Sequence, residues 1–172
     1  MKTIHEQEYK IYTDGACSGN PGRGAWAAII KNNDGTHTEM SQAYSHTTNN
    51  RMELRAVIES LKEVSEGSRA TVVTDSQYVA NAVNKKWLMS WAQRNWRTSQ
   101  KKPVANKDLW ESFLMVMKNR EVVFEWVKGH EGHVENERCD ELAVNAYTKG
   151  PWIADEGYDS ATSTTSGQTS FL

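Results

Sequence analysis

Asp14 stands in a segment, residues 9–15, whose β-branched and aromatic side chains predict a β-strand. A carboxylate near the centre of a sheet must be paired, hydrogen-bonded or bound to a cation, because its desolvation is otherwise unfavourable. The Gly, Asn and Pro residues that follow predict a turn, so Asp14 could instead be a turn residue at the strand end. Asp14 by itself leaves both interpretations open.

Glu53 lies where capping residues and an apolar repeat predict a helix over about residues 50–64. It precedes Val57 by four residues and Leu61 by eight, and both belong to the apolar face. The Glu53 side chain should therefore point toward the packed side of the helix. The alternative is a capping-box glutamate that serves the helix N-terminus.

Asp75 follows a β-branched run, residues 70–74, and precedes a predicted helix over residues 77–83. Ligands of open α/β sheets bind at the carboxyl ends of the strands. Neighbouring strands lie about 4.8 Å apart, so Asp14 and Asp75 could share one cation if their strands are adjacent. Asp75 would equally suit the N-cap of the following helix.

Asp140 is predicted in the first turn of a helix whose apolar stripe consists of Cys139, Leu142, Ala143, Ala146 and Tyr147. Its alternative role is to stabilise the helix dipole. The segment before this helix contains His130 and His133 close to the glycines at 129 and 132. This arrangement predicts a mobile loop, because the spacing supplies no further ligands for zinc.

The remaining elements predict an α/β fold. Asp34-Gly35 lies between two strand-like runs, residues 24–30 and 36–41, and predicts an antiparallel hairpin. A helix over residues 108–118 and a fifth strand over residues 121–127 follow later in the chain. Strands that alternate with helices in this second half predict parallel pairing.

The charges of the chain are segregated, although its formal net charge is only −2. The segment from Ser76 to Lys107 has no acidic residue and carries +7, which leaves −9 for the remainder. One face could therefore attract phosphates while another gathers carboxylates, as a cation-dependent enzyme acting on nucleic acid requires. A solvated surface loop is the alternative explanation.

Tryptophans accompany these basic residues, at Trp87, Trp91, Trp96 and Trp110. Trp87 and Trp91 are four residues apart and share a helix face, so they could be core anchors or a surface platform. Cations interleaved with indoles suit nucleic-acid contact, and we expect a mixture of the two roles. A Trp-anchored helical excursion without a ligand remains the alternative.

Length and composition predict one ordinary domain, since 172 residues can bury an adequate core. The sequence has no apolar run of membrane-spanning length and a polar start, which favours a cytoplasmic protein. Cys17 and Cys139 are expected to be reduced thiols. The glycines at 19, 22 and 24 fit neither a Walker loop nor a dinucleotide fingerprint. Residues 160–172 have the composition of a disordered tail.

Four motifs together resemble those of bacterial type 1 ribonuclease H. They are Tyr12-Thr13-Asp14-Gly15 with the turn Gly19-Asn20-Pro21-Gly22, residues 47–54, Thr74-Asp75-Ser76-Gln77-Tyr78, and residues 129–140. They occur in the order of the family, with the basic, Trp-bearing excursion between the third and the fourth. The likeness covers residues 9–152, which leaves residues 1–8 as an N-terminal extension and 153–172 as a Ser/Thr-rich tail.

The resemblance implies a ribonuclease H-like α/β fold with a five-stranded mixed sheet flanked by helices. It also implies hydrolysis of the RNA strand of RNA–DNA hybrids, leaving 5′-phosphate and 3′-hydroxyl ends. The family's acidic metal site is matched by Asp14, Glu53, Asp75 and Asp140, and its flexible-loop histidine by His130. The implied cofactor is a pair of Mg²⁺ ions, with Mn²⁺ as an alternative, and such hard cations require several carboxylate oxygens.

The resemblance also assigns substrate contacts. Residues that would line the minor groove of the hybrid are Cys17, Asn20, Asn49 and Gln77. Residues that would hold the DNA strand are Thr48, Asn50 and Trp87, and the basic handle of the family is matched by the segment containing Lys85, Lys86, Trp91 and Arg94. Ala92 and Gln93 depart from a denser basic run in better-known bacterial relatives, and Val134 replaces a common proline.

Two other functions compete with the hybrid-specific endoribonuclease. A structure-selective DNA nuclease would keep the fold, but the handle and the Thr48-Asn49-Asn50 motif argue against it. A hybrid-binding module without catalysis predicts loss of at least one carboxylate or of His130, and none is lost. We expect a monomer, because the resemblance covers a self-contained domain.

Overall fold

Three long antiparallel strands begin the chain in the computed structural model, which describes residues 7–129 and 131–158. They are β1 (Glu8–Ser18), β2 (Gly22–Asn32) and β3 (His37–Thr47). The hairpin predicted at Asp34-Gly35 is confirmed, with Lys31 opposite His37. All three strands exceed their predicted lengths, and in β3 the buried residues Ala43 and Tyr44 continue the core beyond the predicted strand end.

Two strands extend the sheet on the other side of β1. β4 (Arg69–Thr74) pairs parallel with β1, and β5 (Glu121–Trp126) pairs parallel with β4, which confirms parallel pairing in the second half. β6 (Trp152–Ile153) adds two residues parallel to β3, giving the order β5-β4-β1-β2-β3-β6. The mixed sheet of the predicted fold is confirmed, with a short sixth strand at its edge.

Five helices flank this sheet. They are α1 (Asn49–Lys62), α2 (Gln77–Asn84), α3 (Trp87–Gln93), α4 (Lys107–Met117) and α5 (Val134–Lys149). Successive residues of a strand point to opposite faces of the sheet. Ile30 packs with residues of α1, α2 and α4, whereas Ile29 packs with Cys139 and Ala143 of α5. Helix α5 therefore covers one face and the other helices cover the opposite face.

The larger core lies under α1 and α4. Trp110 and Phe113 of α4 are completely buried there, and complete burial of a phenylalanine contributes about 2–3 kcal/mol. No helix within residues 7–129 and 131–158 has both the length and the apolar character needed to cross a membrane.

The packed structure continues past the predicted domain boundary at residue 152. Ile153 belongs to β6, and Asp155 is completely buried. Residues 153–158 show no apolar periodicity, and the ion pairs of Asp155 with Arg51 and Arg55 hold them. The predicted N-terminal extension, residues 1–8, lies outside the described residues except for Gln7 and Glu8, and Glu8 already begins β1. The tail predicted for residues 160–172 also lies outside the described residues.

Candidate active site

Asp14 and Asp75 lie side by side at one end of the sheet. Thr13 of β1 is in register with Thr74 of β4, so the next residue along each strand is an aspartate. Asp14 is buried and also pairs with Ala27 of β2, which shows that it lies inside a strand and is not a turn residue. The adjacency predicted for these two aspartates is confirmed.

Glu53 reaches the two aspartates because α1 packs directly on β1 at Gly15. A Cβ atom on Gly15 would lie 2.5 Å from the backbone nitrogen of Glu53 and 2.6 Å from the carbonyl carbon of Met52. Any larger residue would push the helix away from the strand. In the sequence, Gly15 stands out only as part of a motif. In the structure, it sets the distance between α1 and β1.

The side chains of Asp14, Glu53 and Asp75 converge. Each offers one carboxylate oxygen, and these three oxygens lie within 4.8 Å of one another. Asp140 of α5 lines the same cleft, whose volume is about 410 Å³. The four predicted carboxylates therefore surround one cavity, although Asp140 is outside the tight group of three.

Asp140 lies in the second turn of its helix, and its prediction for the first turn is wrong. Helix α5 begins at Val134, because Asn136 is buried in the first turn and extends the packed face toward the N-terminus. The effect of a helix dipole decays within the first turn. Dipole stabilisation therefore does not explain Asp140.

The ordinary explanations for Glu53 and Asp75 also fail. The N-cap of α1 is Thr48, whose hydroxyl accepts a hydrogen bond from the Arg51 amide, so Glu53 is too far along the helix for a capping box. The N-cap of α2 is Ser76, whose hydroxyl accepts from the Val79 amide at 3.2 Å. Neither carboxylate caps its helix.

Burial and mutual repulsion perturb this cluster. Burial, with repulsion from Asp75, raises the pKa of Asp14 to about 8, while a hydrogen bond with Glu53 acts in the opposite direction. Burial and then the charge of Asp14 raise the pKa of Glu53 well above its ordinary value. No cationic side chain is among the causes of either shift. Burial and neighbouring carboxylates therefore dominate the electrostatics of Asp14 and Glu53.

A divalent cation fits this donor set. Oxygen Oε2 of Glu53 is buried and has no hydrogen-bond partner among the described residues. Buried carboxylate oxygens are paired, hydrogen-bonded or bound to a metal, and carboxylates are the preferred ligands of Mg²⁺. Asp14, Glu53 and Asp75 could hold such an ion, and Asp140 lines the same cleft.

His130 lies outside the described residues, so its predicted catalytic position stays a prediction. Its neighbour Gly129 is described and lies against the cluster, since a Cβ there would be 2.8 Å from Oδ2 of Asp75. His133 is exposed and precedes α5 as its N-cap residue, without a side-chain capping bond.

Several predicted substrate residues line the same cleft, namely Asn49, Asn50 and Gln77. The Asn49 amide donates a hydrogen bond of 3.1 Å to Oδ1 of Asn20, which joins the β1–β2 turn to the start of α1. Thr48 serves as the N-cap of α1. Cys17 is half-buried, and its Sγ lies 2.5 Å from where a Cβ on Gly24 would be.

The basic, Trp-bearing segment divides its indoles between core and surface. Trp91 and Trp96 pack against the core, and Trp91 makes an edge contact with Trp110 at 5.7 Å between ring centroids. Trp87 is 43% exposed, with Nζ of Lys85 at 5.5 Å from its ring centroid. Lys86 and Arg94 are exposed. The expected mixture of roles is therefore found.

Sequence reasoning did not single out four further residues of the cleft, which are Ser76, Tyr78, Asn136 and Glu137. Asn136 precedes Asp140 by one helical turn on α5, and that spacing could have indicated it. The Tyr78 hydroxyl accepts hydrogen bonds from Asn106 Nδ2 and Trp110 Nε1, at 3.2 Å and 2.9 Å. Tyr78 thus connects the cleft to the base of the basic segment.

Comparison with known proteins gives a consistent result. The family model described as RNase H matches residues 6–148. A ribonuclease H of Nitratidesulfovibrio vulgaris is 53% identical over 133 residues, covering 77% of this chain and 85% of the relative. A ribonuclease HI of Synechocystis sp. is 45% identical over 148 residues, covering 86% and 92%.

Solved structures resemble the fold. The crystal structure of LC9-RNase H1, a type 1 RNase H with the type 2 active-site motif, has a TM-score of 0.75 and 29% identity, covering 86% of this chain and 75% of that one. LC11-RNase H1, solved in complex with an RNA/DNA hybrid, has a TM-score of 0.65 and 24% identity, covering 82% and 97%.

Proposed function

The chain belongs to the ribonuclease H family, and on this premise we propose that the four carboxylates of the cleft are its metal ligands. The enzyme hydrolyses the RNA strand of RNA–DNA hybrids, leaving 5′-phosphate and 3′-hydroxyl ends. The observation that carries the assignment is the convergence of carboxylate oxygens from Asp14, Glu53 and Asp75 within 4.8 Å. Asp140, which lines the same cleft, completes the set.

The cofactor is Mg²⁺, with Mn²⁺ as a substitute, and two bound ions would supply an activated water and charge stabilisation for the leaving oxygen. Asp14 holds the central position, because it contacts Glu53 directly and is repelled by both Asp75 and Asp140. Glu53 presents its unpartnered oxygen from a helix that Gly15 keeps close to the strand. The four side chains act only when deprotonated.

His130 transfers a proton during the reaction. Imidazole side chains in general exchange protons near neutral pH, and the sequence places glycines at 129 and 132 on either side of His130. Gly129 lies against Asp75, which supports a role for its neighbour beside the carboxylates. General acid–base assistance of this kind contributes about 10²- to 10⁴-fold to the rate.

The hybrid binds across the cleft and the basic segment. A hybrid presents 2′-hydroxyl groups in a wide, shallow minor groove, which short polar side chains can reach. Groove contacts come from Cys17, Asn20, Asn49 and Gln77. DNA-strand contacts come from Thr48, Asn50 and Trp87, with the basic segment, including Lys85, Lys86, Trp91 and Arg94, near the phosphates. The exposed ring of Trp87 suits packing against a sugar, whereas Trp91 supports the segment from below.

The enzyme acts as a monomer in the cytoplasm. One continuous sheet with helices on both faces supports the monomer, since the domain core needs no second chain. Free thiols at Cys17 and Cys139 support a reducing compartment.

A cleavage assay with three matched duplexes tests the proposal. The protein and Mg²⁺ are incubated with an RNA–DNA hybrid, duplex DNA and duplex RNA of one sequence. We expect cleavage of the RNA strand of the hybrid alone, and no cleavage in chelator. Cleavage of duplex DNA would favour the structure-selective DNA nuclease, and binding of the hybrid without cleavage would favour the non-catalytic module.

A further inference from the structure

Trp126, the last residue of β5, contacts the backbone of Asp75. Its indole Nε1 donates a hydrogen bond of 3.0 Å to the carbonyl oxygen of Asp75. The backbone ladder continues beside this bond, because the Val127 amide donates to the carbonyl of Thr74 at 2.9 Å. The end of β5 therefore fixes the backbone carbonyl group of Asp75.

The same segment also approaches the Asp75 side chain. A Cβ on Gly129 would lie 2.8 Å from Oδ2 of Asp75 and 3.6 Å from its Cγ. Only a glycine allows the backbone to come this close without displacing the carboxylate. Residues 126–129 thus contact Asp75 at its carbonyl oxygen and at its carboxylate.

Core packing does not account for Trp126. Its side chain is 42% exposed, and it belongs to none of the buried clusters. An exposed indole gains little from burial, but its N–H can fix a neighbouring carbonyl. The bond to Asp75 is therefore the main structural contact that explains a tryptophan here.

We propose that Trp126 is a positioning residue for the metal ligand Asp75, with Gly129 as the second part of the same support. The indole fixes the peptide after Asp75 and hence the direction of its Cα–Cβ bond, while the Gly129 backbone limits rotation of the carboxylate. Such supports orient metal ligands in other proteins. The inference rests on the proposed function, since it takes Asp75 to be a ligand.

Metal binding without substrate tests this role. Trp126→Phe keeps an aromatic ring and removes the N–H donor. Its matched control is Trp152→Phe at the opposite edge of the sheet, where the indole donates to the carbonyl of Tyr147 at 2.8 Å. Binding of Mn²⁺ to each protein is measured by calorimetry, and melting in chelator shows that each is folded.

We expect Trp126→Phe to weaken Mn²⁺ binding about tenfold and Trp152→Phe to leave it within about threefold. The proposal would be overturned if Trp126→Phe kept a Mn²⁺ affinity within about threefold of the unaltered protein, or if both variants lost the same affinity. Asp75→Asn is the reference variant. If Asp75→Asn binds Mn²⁺ normally, Asp75 is not a metal ligand and the proposed function is contradicted. If Asp75→Asn loses Mn²⁺ binding and Trp126→Phe keeps it, only the positioning role of Trp126 is contradicted.

Gly129→Ala provides a second variant in case Trp126→Phe does not fold. Its added methyl group would meet the Asp75 carboxylate, so we expect a raised Mg²⁺ requirement for hybrid cleavage together with weaker Mn²⁺ binding. Lys128→Ala is the control in the same segment, because the Lys128 side chain is 70% exposed and its ion pair is with Glu131. Equal effects of the two alanines on metal binding would contradict a specific contact with Asp75.

Discussion

Buried carboxylates lie on two different sides of α1, and their pKa values are shifted in opposite directions. In the cleft, Asp14 and Glu53 have pKa values that burial raises, to about 8 for Asp14. Asp155 is also completely buried, yet its pKa is lowered to about 2, because hydrogen bonds from Arg51, Arg55 and Thr47 outweigh the effect of burial. Burial alone therefore does not decide the charge of a carboxylate.

The difference comes from which cations α1 presents on each side. Nε and Nη2 of Arg51 donate to Asp155 at 2.7 Å and 2.9 Å, and the Thr47 hydroxyl donates at 2.7 Å. Nη1 and Nη2 of Arg51 also donate to Asp108 of α4. Arg51 and Glu53 are two residues apart, about 200° around the helix, so this guanidinium points away from the cleft.

The comparison separates a structural site from a chemical one. Asp155 has its compensating charges within the chain, so it fastens residues 153–158 to α1. The pKa shifts of Asp14 and Glu53 are caused mainly by burial and by neighbouring carboxylates, so a metal ion would supply positive charge that favours their ionised forms. Variants of the two groups should consequently differ in what they lose.

The largest expected effect is that of Asp14→Asn on cleavage. Removing the central ligand should abolish Mg²⁺-dependent cleavage of a hybrid, whereas the metal-free fold should be at least as stable, because one repelling charge is gone. Activity is measured on a labelled hybrid, and melting is measured in chelator near pH 8. A clear fall in the melting temperature would show that Asp14 is a structural partner like Asp155.

His130→Ala should lower the cleavage rate by about 10²- to 10⁴-fold and leave the Mg²⁺ requirement unchanged. The reason is that His130 moves a proton and adds no ligand to the carboxylates. The rate is measured across a Mg²⁺ titration, with His133→Ala as the matched control that should cost less. A strongly raised Mg²⁺ requirement would indicate that His130 takes part in metal binding, which would contradict a role limited to proton transfer.

Asp155→Ala should destabilise the protein by about 3–5 kcal/mol, because it leaves the buried guanidinium of Arg51 without its main partner. The matched control is Asp108→Ala, which removes a half-exposed partner of Arg51 and should cost about 1 kcal/mol. Urea unfolding gives both values. Equal costs would mean that Asp155 is not the principal counter-charge.

The two groups should also give the metal-free protein two opposite pH dependences. Folded Asp14 keeps its proton up to about pH 8, whereas an unfolded chain loses it near 3.8, so the free energy of unfolding should fall as pH rises through this window. The lowered pKa of Asp155 stabilises the fold above 3.8, and this contribution should disappear as pH falls toward 2.

Melting in chelator across this range checks both slopes. Asp14→Asn should reduce the slope between about pH 4 and 8 and leave the acid limb unchanged. If Asp14→Asn changed only the pH dependence below about pH 4, Asp14 would not be the group with the raised pKa.

Local patterns were enough to predict the order of the strands and most helices, and the placement of Asp14, Glu53 and Asp75. Period and turn chemistry act over a few residues, and these carboxylates stood out because each contradicted its local pattern. The first residue of α5 was missed, since Asn136 is polar although buried. The close packing of α1 on β1 at Gly15 could not be predicted, because it brings together Gly15 and Glu53, which are 38 residues apart in sequence. No local pattern shows such a contact.

The docking of residues 153–158 was also missed for a physical reason. It depends on ion pairs between residues 104 positions apart, and charged side chains near the end of a sequence usually indicate solvent exposure. Trp126 escaped notice for a similar reason, because its partner is a backbone carbonyl rather than a side chain.

The Arg51–Asp155 pair bears on when the fold can be completed during synthesis. Chains emerge from the ribosome N-terminus first, at about 5–20 residues per second. Helix α1 is therefore available well before its counter-charge, and Arg51 must wait for Asp108 and then for Asp155, 104 residues later. Until then the guanidinium favours hydration over burial. The residue that lets the first helix bury its charge is thus synthesised 104 residues after that charge.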